Sequence, residues 1–408
     1  MFWSKLSSKQ VTSRVLNCLN ENADFYRDTI VGIPGTYLDK KVFPIDENLL
    51  NDCPYLTTFV SNPNHIGLHT SGDSEVFFKG TQELEREVIK ICACEILKAK
   101  KSDYDGYVSP GGTESNIVGI WNARNYLKEK FNIDFSSVGI IHTVDTHYSI
   151  SKAADLMNIR SIPITVNNKN REIDKEILKE KIRFSKKNGI NYFIVILNMG
   201  TTMFGSVDNS SIFENILDKE KVEYVIHVDA AFGGFLYPFT NNKNLLSFQN
   251  EKIMSFSLDA HKLLQAPYGT GMYIARKGYM DCLENKGASY IQGNDNTLCG
   301  SRSGANAVAI WMILMSYGSR GRKKYCESLL ARSNQLANGL RNLDIPFYQN
   351  PFMNIVAIDA RFVAYEVFKK FNLVPDNHHS PSWFKFVSMD HVTQDHVNDL
   401  LLDLSAEK

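Results

Sequence analysis

Cysteine is sparse in this sequence, and neither sign of charge is in excess. The seven cysteines are scattered and odd in number, a pattern that favours reduced, mostly buried thiols in a cytoplasmic protein. Only Cys92 and Cys94 lie close together, and no second Cys or His pair stands at finger-like spacing, so a metal site is the minor alternative. The 45 basic and 45 acidic side chains cancel, so nothing favours nucleic acid or an anionic membrane surface as a partner.

Long apolar runs are missing as well. Residues 192–197 form a typical apolar run, far shorter than the ~18 residues needed to cross a bilayer. Residues 1–5 lead into polar residues instead of the apolar segment of a secretory signal. We therefore expect a soluble protein, and hydrophobic residues at 43% with charged residues at 22% are ordinary globular proportions.

The pattern along the 408 residues predicts three parts. Residues 1–75 mix a short helical pattern with proline-containing loops and are expected to form an arm. Residues 76–318 begin with a long amphipathic helix capped at Thr81 and are expected to form the large domain. There, buried strands alternate with helices, which favours a mostly parallel sheet covered by helices: 139–143, 161–165, 192–198, 224–228 and 253–257. Residues 319–408 predict a small α+β domain with strands at 354–359 and 384–389.

Two charged residues stand out because each follows a buried strand. Asp229 ends one strand, and Lys262 follows the next. A lysine that forms a Schiff base and an aspartate that holds a pyridinium nitrogen are the protein groups that pyridoxal phosphate needs. The pair therefore predicts a pyridoxal phosphate enzyme. Taken singly, Asp229 is also explained as the cap of the turn toward Gly233, and Lys262 as a solvated charge.

Two further motifs lie between a strand and a helix. Residues 111–116 (Gly-Gly-Thr-Glu-Ser-Asn) present free amides at a helix N-terminus, where phosphate binds, although an ordinary glycine turn capped by Thr113 has the same pattern. His147 is placed to stack on a cofactor ring and reach a substrate carboxylate, although a solitary loop histidine is commonly a surface or core residue.

Three more segments suit the same sheet edge. Thr201 and Asp208 follow a strand, where open α/β folds bind ligands, or form a turn that satisfies its own backbone. Residues 300–304 (Gly-Ser-Arg-Ser-Gly) offer hydroxyl groups and the Arg302 guanidinium to a second anionic contact, or else cap a helix. Tyr290, in a segment rich in glycine and asparagine, is a candidate proton donor on a mobile loop.

In this order the motifs are similar to those of one family. The set Gly-Gly-Thr-Glu, Thr-His-Tyr-Ser, Gly-Thr-Thr, His-Val-Asp-Ala-Ala-Phe-Gly-Gly, Asp-Ala-His-Lys and Gly-Ser-Arg-Ser-Gly resembles the group II pyridoxal phosphate-dependent amino acid decarboxylases. Within that family, the sequence resembles especially the bacterial and plant histidine decarboxylases and the archaeal tyrosine or aspartate decarboxylases. The resemblance covers residues 75–318, and more weakly 385–393.

The resemblance implies a fold type I homodimer with shared active sites, a mostly parallel seven-stranded sheet with helices on both faces, and a small C-terminal α+β domain. It implies pyridoxal 5'-phosphate as the cofactor, Lys262 as the Schiff-base lysine and Asp229 on the pyridine nitrogen. It places the remaining cofactor-binding and catalytic residues as follows: His147 and Ala231 on the two ring faces, Gly112, Thr113 and His261 near the phosphate, Thr201 near the cofactor hydroxyl or substrate, Ser301 reaching across the dimer, and Tyr290 protonating the substrate carbon.

The sequence also departs from the family pattern. Lys385 and Asp390 stand where the C-terminal motif usually has Arg and Pro, so a carboxylate-binding role for Lys385 is an open question. Because family arms approach the active site, His65, Phe77 and Phe78 are candidates for the substrate pocket.

The expected reaction is α-decarboxylation of an L-amino acid to its amine and carbon dioxide. Two alternatives are a retro-aldol lyase of the sphingosine phosphate lyase type and a non-catalytic, cofactor-binding paralogue. The sequence does not choose the amino acid, because side-chain recognition depends on contacts that no single motif encodes.

Overall fold

The computed structural model describes residues 2–24, 27–32, 39, 41–42, 53–58, 76–283 and 295–406. His65 and Tyr290 lie outside these ranges. The α-helices are α1 (Ser8–Asn20), α2 (Pro54–Thr57), α3 (Lys79–Lys90), α4 (Gly112–Phe131), α5 (Ser149–Leu156), α6 (Lys175–Lys187), α7 (Ser210–Lys219), α8 (Tyr237–Thr240), α9 (Gly304–Asn342), α10 (Tyr365–Lys370) and α11 (Gln394–Ala406). The strands are β1 (Asp105–Ser109), β2 (Val138–Thr143), β3 (Arg160–Ile164), β4 (Tyr192–Asn198), β5 (Glu223–Ala230), β6 (Ile253–Asp259), β7 (Gly271–Ala275), β8 (Phe347–Tyr348), β9 (Ile355–Asp359), β10 (Val374–Pro375) and β11 (Trp383–Val387).

A seven-stranded sheet forms the centre of the molecule, in the order β1-β7-β6-β5-β4-β2-β3. Strand β7 runs antiparallel to both of its neighbours, and the other adjacent strands run parallel. The inner strands are buried along nearly their whole length because helices cover both faces. The expected mostly parallel sheet is confirmed, and its predicted strands agree with the observed ones to within two residues at each end.

Helix α4 positions much of the candidate site because it packs across β5, β6 and β7. It begins at Gly112, directly after strand β1, so its N-terminus lies at the edge of the sheet where the parallel strands end. Helix α3 begins at Lys79, two residues before the predicted cap Thr81, and continues into a π-helical turn at Ile91–Ile96.

The N-terminal helix packs against the main core. Val11, Val15 and Cys18 of α1 are buried in the same apolar cluster as Leu84 and Val88 of α3. The N-terminal part of the segment predicted as an arm is therefore built into the core of the main sheet.

A four-stranded antiparallel sheet, β10-β11-β9-β8, forms the C-terminal layer with helices α10 and α11. Its core is a separate apolar cluster that includes Val356, Phe384 and Leu400. Helix α9 leads into it and is interrupted at Gly318, where φ is 62°. The division of the chain near residue 318 stays a prediction. Across the described ranges, none of the helices has the length and apolarity needed to span a membrane.

Candidate active site

Polar residues from three neighbouring strands meet at the carboxyl edge of the main sheet. Asn198 of β4, Asp229 of β5 and Ser257 of β6 are aligned in register across the sheet. Asp259 ends β6, and the N-terminus of α4 lies opposite. Together with the loops after β2 and β6, these elements enclose a cleft of about 410 Å³. In open α/β sheets, ligands bind at this edge.

The carboxylate of Asp229 is buried and surrounded by hydrogen-bond donors. Its Oδ2 accepts from Asn116 Nδ2 at 2.9 Å, and its Oδ1 accepts from Ala231 N at 3.1 Å and from Ser257 Oγ at 3.3 Å. A buried carboxylate is expensive unless it is paired in this way. Three donors thus hold the side chain in one orientation at the bottom of the site.

Lys262 is held beside a second carboxylate. Its Nζ lies 3.0 Å from Asp259 Oδ2 in a short π-helical turn, Ala260–Leu264, that follows β6. Burial raises the pKa of Asp259, and the ammonium of Lys262 opposes that rise. One third of the Lys262 side chain remains exposed (33%), so the amine can be reached from the cleft.

His147 lies on the loop between β2 and α5 and lines the cleft. Its Nδ1 accepts a hydrogen bond from Ser149 N at 3.3 Å and lies 2.9 Å from Ser149 Oγ. Burial lowers the pKa of His147, and the negative charge of Asp229 opposes part of this shift. The lowered pKa favours the neutral ring near neutral pH.

The N-terminus of α4 closes one side of the cleft. A Cβ at Gly112 would lie 2.7 Å from Asp259 Oδ2 and 3.0 Å from Ala231 Cβ, so only glycine fits this close approach. Thr113 is exposed at the next position, and Glu114 lines the wall. The hydroxyl of Tyr107 donates to Glu114 Oε1 at 2.7 Å, and burial raises the pKa of Glu114 to about 7.

The residues of the cleft fit the pyridoxal phosphate that the sequence implies. Asp259 Oδ1 and His261 Nδ1 are buried polar atoms without a hydrogen-bond partner among the described residues, as expected where a polar ligand belongs. Free amides at the start of α4 suit a phosphate, Asp229 suits a protonated ring nitrogen, and Lys262 supplies a primary amine.

The structure brings most of the predicted cofactor residues together and leaves others apart. Gly112, Thr113, His147, Ala231, His261 and Lys262 line the cleft, and Asp229 lies beneath it. Thr201 is buried, and its hydroxyl lies 2.7 Å from Ser206 Oγ, away from the residues that line the cleft. Ser301 is exposed at the start of α9. Their predicted roles toward the cofactor stay predictions.

The proposed substrate residues occupy separate places. Lys385 of β11 reaches the loop after β4, where its Nζ donates to Thr202 O at 3.1 Å. Burial, and then the charge of Lys262, lower the pKa of Lys385. Phe77 is half-buried and Phe78 buried, and neither lines the cleft. The candidates His65 and Tyr290 lie outside the described residues.

Arg302 does not make the second anionic contact that its motif predicted. Its guanidinium is buried, pairs with the carboxylate of Glu85 and donates to Val108 O at 3.0 Å. Because Glu85 is fully buried on α3, the pair satisfies an internal charge. The prediction for Arg302 is therefore wrong for a structural reason that the local motif does not contain.

Sequence analysis also missed several residues of the site. Asn116 and Ser149 bind Asp229 and His147, and Asp259 binds Lys262. Asp259 stands three residues before the lysine, and Asn116 ends the phosphate motif, so both lay within quoted motifs. The contact of Asn116 with Asp229 joins residues 113 positions apart, which the spacing of the motifs does not reveal.

Comparison with known proteins agrees with this geometry. The model of the pyridoxal-dependent decarboxylase conserved domain matches residues 80–356. A tryptophan decarboxylase from Clostridium sporogenes is 43% identical over 404 residues, which are 99% of this chain and 97% of the relative. A probable L-aspartate decarboxylase from Archaeoglobus fulgidus is 26% identical and covers 89% of this chain and 95% of its own length.

Solved structures show the same fold. The L-methionine decarboxylase of Streptomyces sp. 590 has a TM-score of 0.71 at 18% identity and covers 98% of this chain and 94% of its own. A sphingosine-1-phosphate lyase from Burkholderia pseudomallei has a TM-score of 0.69 at 17% identity, over 80% of this chain and 76% of its own. At these identities the likeness concerns the fold. The match over residues 80–356 and the 43% identity show that this chain is an enzyme of the pyridoxal phosphate-dependent amino acid decarboxylase family, with the fold type I architecture and pyridoxal 5'-phosphate as its cofactor.

Proposed function

We propose that this enzyme decarboxylates an aromatic L-amino acid, with L-tryptophan as the first substrate to test and tryptamine as the product. The observation that carries the proposal is the 43% identity to a tryptophan decarboxylase over 99% of this chain. The histidine, tyrosine/aspartate and aspartate decarboxylases among the relatives are 26–29% identical and cover less of the chain.

Bound pyridoxal phosphate supplies an aldehyde to a lysine amine and an electron-poor ring that accepts the electrons left when carbon dioxide departs. Lys262 is the amine nearest to this chemistry, and Asp259 holds its Nζ at 3.0 Å. Asp229 keeps a negative charge beneath the site, where it stabilises a protonated ring nitrogen. The N-terminus of α4 offers its amides to the phosphate.

The substrate carboxylate requires a cation or a donor. Lys385 projects from β11 onto the loop at Thr202, and the charge of Lys262 contributes to lowering its pKa. We infer that Lys385 attracts the carboxylate of the incoming substrate, at the position where the family motif has an arginine. Lysine provides one ammonium where arginine provides a planar fork, so the contact is less directional.

The rest of the assignment is carried over by motif. Tyr290 returns the proton to the substrate carbon, Ser301 and Thr201 contact the cofactor, and His65, Phe77 and Phe78 form the side-chain pocket. Two subunits complete each site as a homodimer, residues 76–318 and 319–408 act as the large and small domains, and the enzyme works in the cytoplasm. Of the two phenylalanines, Phe77 is only half-buried, and its ring suits an indole side chain, which stacks on aromatic neighbours.

A substrate screen tests the proposal. The cofactor-loaded enzyme is incubated separately with tryptophan, tyrosine, phenylalanine, histidine, aspartate and methionine, and amine formation is followed by mass spectrometry. We expect tryptamine to form with the highest kcat/KM and with one carbon dioxide released per amine. A preference for histidine or aspartate would refute the aromatic assignment while leaving the decarboxylase intact.

The same enzyme is also tested with a phosphorylated amino alcohol, because the sphingosine-1-phosphate lyase shares its fold. We expect no release of aldehyde. Aldehyde release without amine formation from any amino acid would replace decarboxylation by retro-aldol cleavage.

A further inference from the structure

A chain of buried hydrogen bonds lies between helix α4 and the sheet, behind the cofactor cleft. Asn122 Nδ2 donates to Tyr273 OH at 2.9 Å, and Tyr273 is hydrogen-bonded to Ser255. Ser255 Oγ lies 2.8 Å from His227 Nδ1, and His227 Nε2 lies 3.1 Å from Asn116 Oδ1. The chain reaches the site at Asn116, so five buried polar side chains lead from Asn122 to the residues that surround the cofactor.

At Asn116 the chain divides. Asn116 Nδ2 donates to Asp229 Oδ2 and to Ser149 Oγ, each at 2.9 Å. Ser149 Oγ in turn lies 2.9 Å from His147 Nδ1. One amide thus connects the carboxylate beneath the site with the imidazole that lines it.

The direction of every hydrogen bond follows from the carboxylate. A carboxylate only accepts, so the NH₂ group of Asn116 faces Asp229, and its oxygen faces His227. His227 must then donate from Nε2 and accept at Nδ1, where the hydroxyl of Ser255 donates. Burial lowers the pKa of His227 to about 4, in agreement with a neutral ring.

The same reasoning determines where His147 carries its proton. Ser149 Oγ already accepts from Asn116, so its hydroxyl hydrogen is free to donate to His147 Nδ1. The backbone N–H of Ser149, which can only donate, also points at this atom from 3.3 Å. Two donors make Nδ1 an acceptor and leave the proton of the neutral ring on Nε2.

We propose that Asn116 is a positioning residue: its amide donates to Asp229 Oδ2 and to Ser149 Oγ and so turns the Ser149 hydroxyl toward His147 Nδ1. Together with the Ser149 backbone N–H, this holds the proton of His147 on Nε2, so that the ring enters the reaction as a hydrogen-bond donor. This inference deepens the proposed function, since it rests on the assignment of the cleft to the cofactor and an amino acid. A donor at Nε2 suits a carboxylate oxygen of the substrate, whereas the other tautomer would offer an acceptor to the same oxygen.

Joint X-ray and neutron diffraction from deuterium-exchanged crystals of the cofactor-loaded enzyme, grown near neutral pH, tests the protonation pattern directly. We expect deuterium on Nε2 and none on Nδ1 in both His147 and His227, with the ND₂ group of Asn116 toward Asp229. Deuterium on Nδ1 of either histidine, or the reverse orientation of the Asn116 amide, would overturn the proposal.

A matched pair of substitutions tests the role of Asn116 in cofactor binding. Asn116→Asp places two carboxylates at the distance of the present hydrogen bond, where they cannot both be ionised, so the pair shares one proton and Asp229 loses both its amide donor and part of its negative charge. We expect cofactor binding to weaken about 10- to 100-fold, the range seen when a partner that orients a binding group is lost. Asn125→Asp makes the same change in the same helix at a residue outside this hydrogen-bond chain, whose amide donates to Cys282 O, and it should alter cofactor affinity by no more than about twofold.

Equal losses in the two variants, or wild-type affinity in Asn116→Asp, would contradict the proposal. The diffraction result on the wild-type enzyme decides it if Asn116→Asp does not fold. Neither measurement uses an amino acid, so a failure of the tryptophan assay leaves this test unaffected, and the reverse also holds.

Discussion

Lys262 combines two requirements that conflict in most lysines, because its amine is paired with a carboxylate and still accessible. The side chain is 33% exposed, while that of Asp259 is only 4% exposed. Asp259 therefore restrains the ammonium without enclosing it. Substitutions at residue 262 can separate the charge of the side chain from the chemistry of its amine.

Lys262→Ala and Lys262→Arg are both expected to lose amine formation by at least about 1000-fold, because neither offers a primary amine that can lose its proton. Their stabilities should differ. The arginine keeps a cation beside the buried Asp259, whereas alanine leaves that carboxylate unpaired and should lower the unfolding free energy by about 1 kcal/mol. Mass-spectrometric assays and urea unfolding of the two proteins measure these effects. Substantial turnover by Lys262→Arg would contradict the assignment of Lys262.

Glu114 is expected to make stability depend on pH. Its pKa is 4.5 in an unfolded chain and rises to about 7 in the fold because the carboxyl is buried. Between these values the unfolded chain releases a proton that the folded protein retains, so the contribution to stability is present below pH 4.5 and is lost as the pH rises through 7.

Glu114→Gln removes this titration and keeps an oxygen that can accept from Tyr107. As the pH rises from 4.5 to 7.5, we expect the unfolding free energy of the variant to increase relative to that of the wild type by on the order of 2–3 kcal/mol. Urea unfolding of both proteins over this range measures the difference. A constant difference across the range would show that Glu114 is ionised in the fold at low pH.

At the scale of elements, the contact between helix α4 and strand β5 determines the geometry of the site. His227 and Asp229 are two residues apart on β5 and therefore face the same side of the sheet, toward α4. The register between β5 and β6 shifts at Ile226/His227, which changes the local direction of the strand. Two residues of helix α4 pack against this face: Asn116, which is hydrogen-bonded to His227, and Gly119, which has no side chain.

Gly119→Ala is expected to separate α4 from β5. A Cβ at residue 119 would lie 2.4 Å from Cε1 and 2.5 Å from Nδ1 of the His227 ring, which is fully enclosed and cannot move away. We expect a loss of about 1–3 kcal/mol in stability together with weaker cofactor binding. Thermal unfolding and cofactor titration measure the two effects.

Gly321→Ala in helix α9 is the matched control. Its Cβ would come no closer than 3.3 Å to Tyr317, its own neighbour one turn earlier, so helix propensity should dominate and stability should hold or rise by up to about 1 kcal/mol. If Gly119→Ala behaved like this control, the close packing of α4 on His227 would be refuted.

At the scale of the whole molecule, the cleft opens beside an exposed aromatic surface. Tyr268 is 92% exposed and packs with His261 at a ring-centroid distance of 4.9 Å, and Tyr148 is 61% exposed beside His147. Large aromatic side chains next to a cleft are typical of protein interfaces. This surface is where we expect the second subunit of the proposed homodimer.

Tyr268→Asp should weaken that dimer, because it places a charge in an apolar contact. We expect the wild type to sediment at twice the mass of the 46.3 kDa chain. The variant dimer should dissociate at a protein concentration at least about 10-fold higher than the wild-type dimer does. Specific activity should fall with the dimer on dilution. Tyr365→Asp, on an exposed tyrosine at the start of helix α10, is the control and should leave the mass unchanged; equal dissociation of both variants would refute the assigned interface.

The amino-acid sequence by itself determined the sheet and the chemical nature of the site. Strand β4 is an almost continuous apolar run, and the polar residues that follow such strands gather at one edge because parallel strands end together. This is why Asp229, Lys262 and His147 were expected at one edge before any contact was known, while the roles of these residues and of Gly112 toward the cofactor came from the family resemblance.

Only the tertiary structure decided which of these groups touch. The antiparallel course of β7, the pairing of Arg302 with Glu85 and the bond from Asn116 to Asp229 join segments far apart in the chain. Periodicity and motif spacing describe neighbours along a strand or helix, whereas hydrogen bonds between elements depend on how those elements pack. The proton of His147 is assigned by such contacts, since the position of a hydrogen on an imidazole follows from the partners of its two nitrogens.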